Sequence, residues 1–186
     1  MKRIILVGYM GAGKTTIGRA LARELSLDFY DLDWYIENRQ CKRIPDIFAE
    51  RGEEGFRNIE RKMLLEAIEF ENIVLSCGGG TPCFFDNMAR MNQRGTTVYL
   101  HASTQVLREH LLMAKSRRPL LEGKSPEQLS EYITQSLAQR EPFYTQAQHT
   151  IEVPLLADKE RVRECAKQIL KTIDEKPELS RDTYAK

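Results

Sequence analysis

The chain has 186 residues, enough for one domain with a substantial core, and its 28 basic side chains nearly cancel its 27 acidic ones. That balance argues against nucleic acid or an anionic membrane surface as a partner, so any anion recognition has to be local. Four cysteines without a C-x-x-C pair and three scattered histidines argue against a disulfide scaffold or a zinc site, and no apolar stretch approaches the ~20 residues of a membrane helix. The apolar run after Met1-Lys2-Arg3 is too short for a signal peptide. The expectation is a cytoplasmic protein with reduced, packed thiols, monomeric by default.

In chain order, residues 3–7 (RIILV) read as a parallel strand buried on both faces, and 14–25 as a helix with Ile17, Leu21 and Leu25 on one side. A second strand, DFYDLD at 28–33, ends in carboxylates. Residues 33–52 are polar and broken by Pro45 and Gly52, and a helix then runs over 53–70 with Phe56, Ile59, Met63, Ala67 and Phe70 spaced by three or four. Strands follow at 72–77, 96–100 and 149–153, with helices at 84–94, 103–112, 126–140 and 159–173. This alternation predicts an α/β fold: a five-stranded parallel sheet with helices on both faces, in one domain over 1–173. Ligands then belong beyond the carboxyl ends of the strands. Residues 33–52 and the basic stretch 113–125, with Pro119 and Gly123, read as mobile segments over a site, and the charged tail 174–186 reads as frayed.

Between the first strand and its helix, Gly8, Gly13, Lys14 and Thr15 satisfy G-x-x-x-x-G-K-[ST] in the setting that a phosphate loop requires. Backbone N–H groups there turn toward phosphate oxygens, and the helix N-terminus adds its positive dipole. Lys14 would reach the outer phosphates and Thr15 would give its hydroxyl oxygen to Mg²⁺. No N-K-x-D tetrapeptide reads guanine, and the strand IVLS runs into CGGG rather than an aspartate, against a GTPase and a motor ATPase.

Asp31 and Asp33 lie two residues apart at the end of the second strand, on one face if the extension continues. One can hold Mg²⁺ through water and the other can take a proton from an attacking hydroxyl; the plainer alternative is a pair of solvated carboxylates, or one helix cap. Arg57, Arg117, Arg118 and Arg140 each have a plain reading too: Arg57 as an ion pair with Glu53, Glu54 or Glu60, Arg140 as a cation at its helix's C-terminal end. Acting together, two guanidinium forks can grip a carboxylate and one in a closing lid can neutralise a transferring phosphoryl. The triplet Gly78-Gly79-Gly80 after a buried strand allows a ligand to approach backbone N–H groups, or is a flexible turn.

The segments GYMGAGKTTIGRALA, DLDWYIE, IPDIFAERGEEGFRNIE, GGG, RPLL and REPFY, in this order and spacing over residues 4–172, resemble the shikimate kinase family. The resemblance implies a P-loop kinase fold with a substrate-binding helical segment about 33–61, a mobile lid about 112–124, ATP as co-substrate and Mg²⁺. It implies that Gly11, Ala12, Gly13, Lys14, Thr15 and Thr16 wrap the ATP phosphates, that Thr15 and Asp31 place the metal, and that Arg118 reaches the phosphates from the lid. It further implies that Asp33 holds the shikimate hydroxyls and is the base, that Arg57 and Arg140 clamp the carboxylate, and that Gly78, Gly79 and Gly80 line the acceptor. Glu60, one helical turn from Arg57, is placed to orient it. The loop VPLLADKE departs from the family's usual basic residue near adenine, which leaves the adenine contacts open. A kinase for gluconate or a nucleoside monophosphate, and a non-catalytic nucleotide-binding module, are the competing readings.

Overall fold

The run Ile4–Val7 offers water no polar side chain, and in the computed structural model, which describes residues 2–113 and 125–174, all four residues are fully buried. They belong to the central strand, β1 (Arg3–Val7). β3 (Ile73–Ser76) and β4 (Thr96–His101) flank it, with β2 (Asp28–Asp31) and β5 (His149–Glu152) at the edges, in the order β2-β3-β1-β4-β5. Every pairing is parallel, as the alternating pattern predicts. Registers such as Asp31 to Ser76 and Leu6 to both Ser76 and Val98 bring the strands' carboxyl ends to one rim.

Helices cover both faces: α1 (Lys14–Leu25), α2 (Leu32–Gln40), α3 (Ile44–Ala67), α4 (Asn87–Arg94), α5 (Thr104–Met113), α6 (Pro126–Tyr144) and α7 (Lys159–Asp174). The chain leaves β1 toward one sheet edge and β4 toward the other, so right-handed crossovers put α1 and α5 on opposite faces and open a crevice where the direction reverses.

Three departures from the reading of the residues alone affect the site. β2 stops at Asp31, which caps α2 by accepting a hydrogen bond from the Asp33 N–H at 3.2 Å, so Asp33 sits in a helix's first turn rather than on a continuing strand. Residues 33–52, polar and broken as a sequence, are helical, as the resemblance implies for about 33–61: α2 and the first part of α3 occupy them, Pro45 lies in the first turn of α3, and the helix kinks at Gly52, where φ is 65°. A Cβ at Gly52 would meet nothing within 4 Å, so that glycine serves the backbone angle and not space. Finally, α6 runs through Pro142 to Tyr144, which leaves Arg140 a turn short of the helix end.

The first turn out of β1 depends on Gly8, whose φ is 141° and whose Cβ, if it had one, would lie 2.7 Å from the Leu100 carbonyl oxygen of β4. That contact is backbone to backbone and cannot be relieved by a rotamer change. Gly8→Ala is expected to lower unfolding free energy by at least about 2 kcal/mol, from overpacking plus backbone strain. Urea denaturation measures it; an unchanged midpoint would mean that β1 and β4 can part here.

Candidate active site

Beyond Val7 the chain curls over the rim and re-enters as α1, with Gly13 as its N-cap. Lys14, only 9% exposed, donates from Nζ to the Gly8 carbonyl at 2.8 Å and to the Tyr9 carbonyl at 2.9 Å, bridging the loop's entry. The loop bounds a cavity of about 370 Å³ through Met10, Gly11, Gly13, Lys14, Thr15 and Thr16, and Asp31, Asp33, Gly78 and Gly79 form the facing wall. Ala12 does not line it: the residue is buried and its N–H is spent on the Tyr9 carbonyl at 3.1 Å, so it shapes the turn without facing an anion. Gly80 is likewise off the cavity wall.

The Thr15 hydroxyl donates to Asp31 Oδ2 at 2.8 Å. That bond places one hydroxyl and one carboxylate oxygen side by side on the cavity wall. Among the described residues no cluster of three or more His, Cys, Asp or Glu could hold a metal. One hydroxyl and one carboxylate suit an ion that completes its shell with waters and phosphate oxygens, and Mg²⁺ behaves so.

Asp33 faces the same cavity. Its carboxyl is pushed up to about 6, first by burial and then by Asp31 and Glu60, with Lys14 opposing. The side chain nevertheless reaches solvent at the cavity mouth, so water screens part of that repulsion. Gly78 packs directly under it: a Cβ there would sit 2.8 Å from Asp33 Oδ1.

Behind Gly78 lies Glu60, 2% exposed and doubly bonded, accepting from Arg57 Nη1 at 2.7 Å and from the Thr81 hydroxyl at 2.6 Å. Arg57 also reaches Glu53 at 3.3 Å, and its guanidinium lies 4.0 Å from the centre of the Phe84 ring. A Cβ on Gly80 would come within 2.9 Å of both its terminal nitrogens. On the other side, a Cβ on Gly79 would be 3.7 Å from Arg140 Nη1, and Arg140 lies over the Tyr9 ring at 5.6 Å. The two arginines therefore flank the Gly79-Gly80 backbone, which the Tyr144 hydroxyl fixes by donating to the Gly79 carbonyl at 2.5 Å. Burial pushes the nearby Cys83 thiol and the Cys77 thiol up, which keeps both protonated as packing groups.

The family model for shikimate kinase matches residues 10–174. The chain belongs to the shikimate kinase family. It is 52% identical over 174 residues to the shikimate kinase of Phocaeicola vulgatus, covering 94% of this chain and 99% of that one. The crystal structure of shikimate kinase from Bacteroides thetaiotaomicron superposes with a TM-score of 0.90 at 49% identity, over 93% of this chain and 98% of that one. That of Acinetobacter baumannii shikimate kinase in complex with shikimate gives 0.79 at 38% identity, over 93% of each chain.

Of the positions singled out from sequence, the kinase fold gathers Gly11, Gly13, Lys14, Thr15, Thr16, Asp31, Asp33, Gly78 and Gly79 around one cavity, with Arg57, Gly80 and Arg140 beside it. Arg117, Arg118, residues 114–124 of the expected lid and the tail beyond Asp174 lie outside the described residues. Thr81, Phe84, Tyr144 and His110 were not legible as site residues. Thr81 carries a signal by following the glycine triplet directly, and Tyr144 by closing the REPFY segment; Phe84 and His110 reach the site through contacts between residues far apart in the chain.

The raised Asp33 carboxyl has a stability consequence. Between its ordinary 3.8 and about 6 the folded state holds a proton that the unfolded chain has lost, so this group's contribution to stability falls as pH rises through that window. At neutral pH the carboxylate is expected to be a net cost, and one well below the full shift because Asp33 is itself solvent-exposed. Asp33→Asn is expected to raise Tm by about 2–4 °C at pH 7.5, as about 1 kcal/mol does in a chain of this size, with the gain shrinking at pH 4. Calorimetry at the two pH values measures it; a lower Tm at pH 7.5 would contradict the strain.

Proposed function

We infer that the chain transfers the γ-phosphoryl of ATP to the 3-hydroxyl of shikimate, releasing ADP and shikimate 3-phosphate. The carrying observation is the position of Asp33, a carboxyl between a phosphate loop and a glycine turn flanked by two arginines. A small polyol with one carboxylate suits that arrangement, because the guanidinium forks can take the carboxylate while Asp33 takes hydroxyls.

In this reading the loop's inward N–H groups and the α1 N-terminus hold the ATP phosphates, and Lys14 spans them. Thr15 and Asp31 would hold Mg²⁺, which when bound would supply charge neutralisation at the phosphates. Asp33 orients the 3-hydroxyl and accepts its proton as the oxygen bonds to phosphorus, and ADP leaves with the former bridging oxygen. Arg57 and Arg140 fix the substrate carboxylate, the Gly79 backbone bonds a hydroxyl, and Gly78 and Gly80 allow the close approach. Arg118 is assigned from sequence to the charge on the transferring group. The loop and the acceptor wall come from one chain, so the functional unit is taken as a monomer. Among the described residues no helix is long and apolar enough to cross a membrane. An enzyme consuming ATP is placed in the cytoplasm.

ADP release should be strong with Mg-ATP and shikimate and near background with gluconate, AMP, CMP or no acceptor. Release independent of any acceptor would remove the acceptor reading. Because Asp33 must be unprotonated to accept the proton, kcat/KM for shikimate is expected to fall about tenfold per pH unit below about 6, while a flat profile from pH 5 to 8 would remove it as the base. Arg57→Lys retains a cation for Glu60 but loses the fork, so KM for shikimate should rise about tenfold with kcat changed less. An unchanged KM would take Arg57 out of the clamp.

A further inference from the structure

Asp33 and Gly79 line the cavity beside Gly78 and Arg140, while Leu111 of α5 and Leu156 from the loop after β5 line it where they pack against Gly11 and Gly13 of the phosphate loop. If the phosphates lie over the α1 N-terminus, this Leu111–Leu156 side receives the base of the nucleotide. This step rests on the function proposed above.

His110 joins the pieces of that side. Its Nδ1 lies 2.7 Å from the Gly11 carbonyl oxygen, and the Leu156 N–H donates to its Nε2 at 2.8 Å. A backbone N–H can only donate, so Nε2 must be the bare acceptor, and the ring proton sits on Nδ1, pointing at Gly11. The imidazole is thus the neutral Nδ1–H tautomer with both nitrogens engaged by backbone, and neither remains for a ligand. The contacts around it are tight. A Cβ on Gly11 would come within 3.1 Å of Leu111, and one on Gly13 within 2.5 Å of Leu156 Cδ1. The phosphate loop is wedged between α5 and the Leu156 loop, and His110 of α5 hydrogen-bonds to the phosphate loop at Gly11 and to Leu156, across 99 and 46 residues of chain.

We propose that His110 is a positioning residue for the nucleotide: by bonding Gly11 and Leu156 at once, it holds the phosphate loop and the base-side wall at a fixed separation. It acts on nucleotide affinity and leaves the acceptor end alone, since none of its bonds reaches Asp33, Arg57 or Arg140.

Calorimetric titration of the full chain with ADP, and separately with shikimate, tests this. His110→Ala loses both bonds and should weaken ADP binding about tenfold, the change expected of two ordinary hydrogen bonds, with the KM for ATP rising alike and kcat and shikimate affinity within twofold of wild type. His110→Asn can keep the donor toward Gly11 and His110→Gln the acceptor toward Leu156, so each should lose about threefold. These two variants carry the test if His110→Ala does not fold by circular dichroism. ADP affinity within twofold of wild type in the folded variants would overturn the proposal, and so would an equal loss of ADP and shikimate binding, which marks general damage. Failure of the wild type itself to bind ADP would overturn the nucleotide reading, and the role of His110 with it.

Discussion

The acceptor side of the site depends on one buried carboxylate, Glu60. Such a charge costs several kcal/mol to desolvate unless it is paired and hydrogen-bonded. Here it is met by the Arg57 guanidinium and the Thr81 hydroxyl together. The same negative charge lies near enough to Asp33 to help hold its proton. A single group therefore fixes the Arg57 guanidinium and helps to raise the Asp33 carboxyl. The Phe84 ring beside Arg57 adds an apolar wall against which a planar cation packs without losing its donors.

Around this pair, the glycines keep distances short. With a side chain on Gly78 or Gly80, Asp33 or Arg57 would have to move from the backbone of the turn. The turn can hold two arginines and a carboxylate close together because its own atoms take so little room. Tyr144 then fixes the turn from behind through the Gly79 carbonyl. The nucleotide side follows the same logic with different partners: the loop's curvature is held by Lys14 across Gly8 and Tyr9, and its flanks by His110 and Leu156.

Much of this was legible in the sequence. The five strand runs and the phosphate loop were read at their places because a run of apolar residues, a 3.6-residue period and a glycine-rich turn are local patterns. Asp33 was named for the right neighbourhood by the wrong route: it faces the cavity from the first turn of α2, because Asp31 caps that helix and ends the strand. From composition the stretch 33–52 looked broken, although the resemblance implied helices there, because helices that cover a site carry polar residues where an ordinary helix shows an apolar stripe.

What the sequence determined by itself is the order of the elements and the chemistry of the phosphate loop, since both follow from contacts within a few residues. Tertiary structure alone decided which charges share a site. Glu60 was named for Arg57 by its one-turn spacing, but only the fold shows that it is buried beneath the glycine turn while Glu53 stays exposed. His110 found Gly11 and Leu156 only when α5 docked against the loop. Hydrogen bonds and desolvation act over a few ångströms in space, and chain separation carries no record of them until the sheet has brought its carboxyl ends to one rim.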